Sequence, residues 1–345
     1  MRTSPHTYWL YLMAFIIGAM ACSHPLTSPH ARAAEVIVTA TTFPGTITDD
    51  QWKVFTGAIS ADAHPPVRLK MLIRGELGSE EIMVNAVRRG RAQITAQSLT
   101  GTSQMVPELA VLALPYVFDS TAQMDWIFDN ILPQVLAPLF EAHGLVLLNF
   151  IDSGWVGFYA RDLLDEPQKV AGYKLRTPTV ISAQLMAQAL RADAIYIPYP
   201  DIIPALQTGL IKGGITADYP FFTGGINAEA AYFIYTRHTY DVGMLLANRA
   251  WFDSLSAPNQ TLFRRAWGDM NEFRPRYRAY LAHEMAKLPA MGTQVVELTP
   301  EQHARWVSAT QITHAEVIDR LGSSAQALYD TIQDAKVTYV KKAHP

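Results

Sequence analysis

Cysteine is nearly absent from the sequence, since Cys22 is the only one among 345 residues. A framework of disulfides within the chain is therefore excluded, and we expect a hydrophobic core to stabilise the fold. An excess of charge of one sign is also absent, because 28 basic and 31 acidic residues give a formal net charge of -3. This balance offers no basic field for nucleic acid, so the expected partner is a small molecule or another protein.

Long apolar runs are confined to the start of the chain. The run over 8–22 precedes a polar, proline-containing stretch that ends at Ala33 and Ala34. This pattern predicts a secretory signal peptide over 1–34, because the run is too short to span a membrane and small residues favour cleavage there. We expect a soluble exported protein without a membrane span. A lipid anchor at Cys22 is the alternative, since the residues before it loosely resemble a lipoprotein processing site.

Motifs of enzymes and metal sites are missing as well. The chain has no Gly-x-Ser-x-Gly nucleophile elbow, and Asp152-Ser153-Gly154 is a poor substitute for one. His283 and Glu284 lack the second histidine that a zinc-binding helix requires. We therefore expect no catalytic residue, no metal and no cofactor. An exported hydrolase that uses Asp152 or Asp218 with His238 on a small carboxylate remains the alternative function.

Strand and helix signals alternate along the rest of the chain, which is typical of an α/β fold with a largely parallel sheet. Long helices are predicted near the carboxyl end, over 256–288 and 299–335. Two glycine pairs predict turns, because they lack the ending of a phosphate-binding loop; they lie at 213–214 and 224–225. The strands are predicted at 36–41, 67–73, 92–96, 146–150, 155–160 and 244–248.

The chain is predicted to cross twice between two α/β lobes, first near 152–154 and again near 241–243. The first lobe would comprise 35–153 and 242–281, and the second 154–241 and 282–340, including the C-terminal helices. Two crossings are typical of a hinge that closes a cleft.

The stretch from Gly172 to Thr179 is the strongest candidate for a binding site. Alternating residues predict a short strand that ends at Arg176, Pro178 stops it, and Thr179 is the predicted N-cap of a helix over 180–190. An arginine beside a helix N-terminus can hold a carboxylate through a bidentate bond. The alternative is a solvated arginine paired with a nearby acid.

Five stretches, taken in order, resemble the solute-binding proteins of tripartite ATP-independent periplasmic (TRAP) transporters, the dicarboxylate-binding family. This resemblance covers nearly the whole chain after the signal peptide. It implies a two-lobed, hinged periplasmic binding protein with a long C-terminal helical region, which delivers one organic acid to TRAP membrane subunits and catalyses no reaction. The stretches are Gly75-Glu-Leu-Gly78-Ser-Glu80, Leu112-Ala-Leu-Pro115-Tyr-Val-Phe118, Gly172-Tyr-Lys-Leu-Arg176-Thr-Pro178, Ala205-Leu-Gln-Thr-Gly209-Leu-Ile-Lys-Gly213 and Leu245-Leu-Ala-Asn248-Arg-Ala-Trp251-Phe-Asp-Ser-Leu255.

The same resemblance implies that Arg176 holds the ligand carboxylate. It also places Thr179, Tyr199 and Thr216 near the ligand, together with Gln97 from the first lobe.

Two further candidates come from residue type. Trp155 would add aromatic surface to the cleft, although most such residues are simply core. Asp218 would meet a ligand hydroxyl or amine, or a bridging cation; the alternative is that it caps the next turn.

The sequence departs from the family pattern where many relatives carry a second arginine. Here Ser153-Gly154 is followed by Trp155 and Val156, neither of which is a cation. Because an unpaired buried carboxylate is strongly unfavourable, this departure predicts a monocarboxylate in preference to succinate or malate. Lys212 is the alternative second cation, if its side chain enters the cleft.

Overall fold

The computed structural model describes residues 34–343 of the chain. The predicted signal peptide lies outside these residues except for its last residue, Ala34, which begins the first strand. The possible anchor at Cys22 also lies outside them. Among the described helices, none combines the length and apolar character needed to cross a membrane.

Strands and helices alternate through most of the described chain. The strands are β1 Ala34–Thr39, β2 Val67–Leu72, β3 Ile94–Gln97, β4 Leu145–Ala160, β5 Lys174–Thr177, β6 Asp193–Tyr196, β7 Gly213–Ala217, β8 Tyr232–Tyr235, β9 Tyr240–Asn248 and β10 Gln294–Glu297. The α-helices are α1 Ile47–Asp62, α2 Glu80–Arg88, α3 Leu99–Ser103, α4 Thr121–Asn130, α5 Leu132–Ala142, α6 Ile181–Ala189, α7 Ile202–Gln207, α8 Asp218–Thr223, α9 Arg249–Asp253, α10 Ala257–Arg265, α11 Met270–Met285, α12 Pro300–Thr310, α13 Ile312–Leu321 and α14 Ser323–Ala343.

The strand order β2-β1-β3-β9-β4-β7-β5-β6 builds a mixed sheet, with β8 pairing to both β4 and β10. Strands β1, β2 and β3 are parallel, as are β5, β6 and β7. Strand β9 is antiparallel to both β3 and β4. The expected α/β class with two lobes is therefore confirmed, although antiparallel pairs join the parallel groups.

Strand β4 is one long element rather than the two separate strands predicted at 146–150 and 155–160. It pairs with β9 as far as Trp155 and with β7 and β8 from Val156 onward. Register shifts at 147/149 and 152/154 let it bend without ending. The pairing thus changes close to the first predicted crossing, and the lobe boundaries given above stay a prediction.

The predicted C-terminal helices are each divided. Gly268, with φ of 94°, separates α10 from α11, and Gly322, with φ of 79°, separates α13 from α14. Aromatic packing joins helix α1 to the segment after α10: Trp52 contacts Trp267 edge-on with ring centroids 4.8 Å apart. These contacts provide the core that a chain with one cysteine requires.

Candidate functional site

A cleft of about 250 Å³ lies where strands β1, β3, β5 and β7 end. In open α/β sheets the carboxyl ends of parallel strands are the usual place for a ligand. The lining comes from both predicted lobes and includes Thr42, Glu80, Gln97, Asp152, Val156, Arg176, Thr179, Tyr199, Thr216, His238 and Asp241.

Arg176 is the penultimate residue of β5, lines this cleft and is only 5% exposed. Its Nε donates to the carbonyl of Ile197 at 3.1 Å, and one terminal nitrogen donates to the carbonyl of Ile215 at 2.8 Å. Within residues 34–343 no carboxylate forms an ion pair with it, and burial lowers its pKa. The alternative of a solvated arginine paired with an acid is therefore wrong. Its guanidinium is a buried cation with only neutral partners, which favours binding of an anion.

Gly214 makes room for this arginine. A Cβ at Gly214 would lie 2.2 Å from the hydroxyl of Tyr159 and 2.9 Å from the Cβ of Arg176. The turn predicted at 213–214 is wrong, because both glycines lie in β7, which pairs with β5 and β4. Their role is close approach between strands.

Thr179 lines the cleft but does not cap a helix, so that prediction is wrong. Val180 is the N-cap of α6, without a side-chain cap bond. The Thr179 hydroxyl instead accepts from the Gln104 amide nitrogen at 3.0 Å, and the Thr179 carbonyl accepts from the same nitrogen at 3.2 Å. Gln104 and Thr179 belong to different predicted lobes, so these bonds would link the two lobes.

The other three residues placed by resemblance also line the cleft. Tyr199 donates its hydroxyl to the carbonyl of Pro220 at 2.7 Å, in space left by Gly224, whose Cβ would lie 1.8 Å from that hydroxyl. Gln97 is 2% exposed, and its amide oxygen has no hydrogen-bond partner among the described residues. Thr216 is buried on β7.

Trp155 and Asp218 are placed elsewhere, in a second cavity of about 410 Å³. Side chains alternate along β4, so Val156 faces the cleft and Trp155 the opposite side. Asp218 accepts from the Tyr235 hydroxyl at 3.0 Å and from the backbone of Tyr219 at 2.9 Å, and burial raises its pKa to about 7. This geometry favours the alternative, in which the Asp218 carboxylate caps the turn that begins α8.

Three acidic residues that line the cleft, Glu80, Glu81 and Asp241, were missed by sequence reasoning. Glu80 accepts from the Ser98 backbone at 2.7 Å and the Ser98 hydroxyl at 2.6 Å, and burial raises its pKa. Asp241, at the start of β9, also has a pKa raised by burial. Glu80 was visible only as an acid in a first helical turn, and nothing in the sequence indicated its approach to the cleft.

His238 and Asp152 line the cleft without forming a catalytic pair. His238 bonds through Nδ1 to the Thr236 hydroxyl at 2.7 Å, and burial lowers its pKa to about 3. Asp152 accepts from the Tyr240 hydroxyl at 3.1 Å and from the Arg278 guanidinium at 3.0 Å. The pairing of Asp152 or Asp218 with His238 that a hydrolase would use is therefore not formed. Asp218 lines the other cavity.

The position of the missing second arginine is apolar. Val156 lines the cleft there and is 7% exposed. Lys212 is exposed and does not line the cleft. No other lysine or arginine accompanies Arg176 in the lining drawn from residues 34–343.

Comparisons with known proteins identify a family and individual proteins that are similar to this chain. A profile of the bacterial extracellular solute-binding protein family 7 matches residues 42–320. The C4-dicarboxylate-binding periplasmic protein DctP of Rhodobacter capsulatus is 24% identical, over 80% of this chain and 81% of its own. The ectoine-binding periplasmic protein TeaA of Halomonas elongata is 22% identical, over 84% and 86%.

Two further comparisons extend this result. The sugar acid binding protein DctPAm of Advenella mimigardefordensis, solved with galactonate, has a TM-score of 0.81 at 22% identity, covering 88% of this chain and 99% of its own. An uncharacterized protein of Sinorhizobium fredii, y4mM, is 36% identical over 143 residues, which are 40% of this chain and 26% of that protein.

Proposed function

Because the chain belongs to the bacterial extracellular solute-binding proteins of family 7, a family of transporter binding proteins rather than enzymes, we propose that it is the periplasmic subunit of a TRAP transporter. It would capture a small organic acid between its lobes and deliver it to the membrane subunits. The observation that carries this proposal is Arg176, a buried cation at the ligand edge of the sheet. Among residues 34–343 its hydrogen-bond partners are carbonyl oxygens only.

The proposed ligand has one carboxylate. A second carboxylate would face Val156, which supplies no charge, or the acids Glu80 and Asp241, which would repel it. Burial of an unpaired carboxylate is unfavourable enough to oppose binding. Relatives with different ligands, namely C4-dicarboxylates, ectoine and galactonate, support the class of small organic acid without fixing its identity.

The proposal is tested by a thermal-shift panel of mono- and dicarboxylates at equal concentration. A ligand that binds only the folded protein raises its melting temperature, and we expect the largest shifts from monocarboxylates. If C4-dicarboxylates give the largest shifts, the proposed preference is wrong.

Arg176→Ala should weaken binding of the best ligand at least thirtyfold, since loss of one partner of a buried charge pair costs about 2–5 kcal/mol. Arg176→Lys should also bind weakly, because a point charge cannot replace the planar fork. Lys174→Ala is the matched control, since Lys174 is an exposed cation on the same strand. Binding by Arg176→Ala within threefold of the parent, measured by calorimetry, would contradict the assignment.

A further inference from the structure

The cleft contains more acidic than basic groups. Glu80, Glu81 and Asp241 line it together with Arg176, the single lysine or arginine in the described lining. Asp152 also lines it, but ion pairs with Arg274 and Arg278 already offset its charge. A simple monoanion would neutralise the arginine and leave the other carboxylates unpaired.

Glu80 is held in place as an acceptor. Ser98 donates two hydrogen bonds to its carboxylate, and Gly101 leaves the space it occupies, since a Cβ there would lie 2.7 Å from the Cβ of Glu80. Neither Glu80 nor Asp241 forms an ion pair within the part of the chain that the structure describes. Two carboxylates are thus positioned in the cleft without a cation of the protein.

Gln97 supplies an independent observation at the same place. Its side chain is buried, and its amide oxygen accepts no hydrogen bond from the described residues. Gln97 lines the cleft, and a buried polar atom without a protein partner there favours a donor on the ligand. Glu80, Asp241 and Gln97 therefore present acceptors to the cleft, and Arg176 presents the cation.

Resting on the proposed function, we propose that the ligand is a zwitterion. Its carboxylate binds Arg176, and a positively charged nitrogen lies toward Glu80 and Asp241 and donates an N–H to Gln97. Burial raises the pKa of both acids and so favours their neutral forms. A cationic nitrogen beside them would stabilise the ionised forms, whereas a ligand hydroxyl would supply a hydrogen bond only. In a cleft that excludes water, a paired charge is much more stable than an unpaired one.

Three acids that share one ring size test the proposal by thermal shift and calorimetry. Piperidine-4-carboxylate carries a cationic nitrogen, cyclohexanecarboxylate carries none, and trans-4-hydroxycyclohexanecarboxylate carries a neutral donor. We expect the piperidine acid to bind at least tenfold more tightly than either of the others. In Glu80→Gln and Asp241→Asn this preference should fall at least fivefold, whereas Glu76→Gln, an exposed control in the same segment, should keep it.

Each outcome separates the two proposals. If the uncharged or hydroxylated acid binds as tightly as the piperidine acid, the zwitterion is excluded, while binding that is lost in Arg176→Ala still supports the carboxylate function. If no member binds, both proposals are contradicted. The comparison among ligands uses the parent protein, so it stands even if a variant fails to fold, which its unliganded melting temperature reports.

Discussion

Gly214, on the neighbouring strand, leaves the space that the side chain of Arg176 requires. A methyl group there would overlap the Tyr159 hydroxyl and press on Arg176. Gly214→Ala should therefore lower the melting temperature and weaken carboxylate binding at least tenfold, as measured by calorimetry.

Gly57→Ala is the matched control for that substitution. Gly57 lies inside α1, and a Cβ there meets nothing within 4 Å. This variant should be more stable by about 0.5–1 kcal/mol, because alanine favours a helix interior. Unchanged binding by Gly214→Ala would show that the strands can separate without moving Arg176.

Asp218 makes stability depend on pH. Its pKa is raised to about 7 in the folded protein, against about 3.9 for an unperturbed aspartate. The folded state thus holds the proton more strongly than the unfolded state, so its stabilising contribution is complete below about pH 4 and is lost as pH rises to about 7.

Asp218→Asn should remove this dependence. The melting temperature of the parent minus that of the variant should fall steadily between about pH 4 and pH 7 and level off above that range. A constant difference across the range would mean that Asp218 titrates at its ordinary pKa.

An ion-pair network joins helices α4 and α11 to strand β4. Arg274, with a 7% exposed side chain, holds both oxygens of Asp129 at 2.7 Å. Arg278 holds both oxygens of Asp125 and donates to Asp152 on β4. The strand that links the lobes is thereby fixed to two helices.

Arg274→Met should destabilise the protein by about 1.5–3 kcal/mol in urea denaturation, because it removes the charged hydrogen bonds of a buried guanidinium, while Arg278 still pairs with Asp125 and Asp152. Arg305→Met is the control: its bidentate partner Glu166 also lies on another element, but the pair is exposed, so the effect should be small. Equal losses in the two variants would contradict the importance of burial here.

The elements that were predicted well from the sequence are those whose pattern lies within a few neighbouring residues. The short strand ending at Arg176 was predicted because alternation and Pro178 lie within a few residues of it. Continuity of β4 was not predicted, since it depends on pairing with β9, which lies far along the chain. Glu80 and Asp241 were missed for the same reason: only the folded sheet brings them to the cleft.

At the scale of the whole molecule, strands β4 and β9 carry the chain between the two groups of parallel strands. Gly154, with φ of 111°, lies at the register shift in β4, a backbone conformation that favours glycine. Gln104 and Thr179, which belong to different predicted lobes, bond to each other. A bend in the strand that joins the two groups of parallel strands is the geometry expected of a hinge.

We therefore predict that ligand shifts the protein from an open to a closed form. Small-angle scattering should show a smaller radius of gyration when the carboxylate with the largest thermal shift is added to the parent. Arg176→Ala should show no such decrease, because a ligand can shift the equilibrium only by its differential affinity for the two forms. Gln104→Ala, which removes both bonds to Thr179, should still close but require more ligand. If the parent keeps the same radius at saturation, the lobes are already closed without ligand and the cleft must fill by another route.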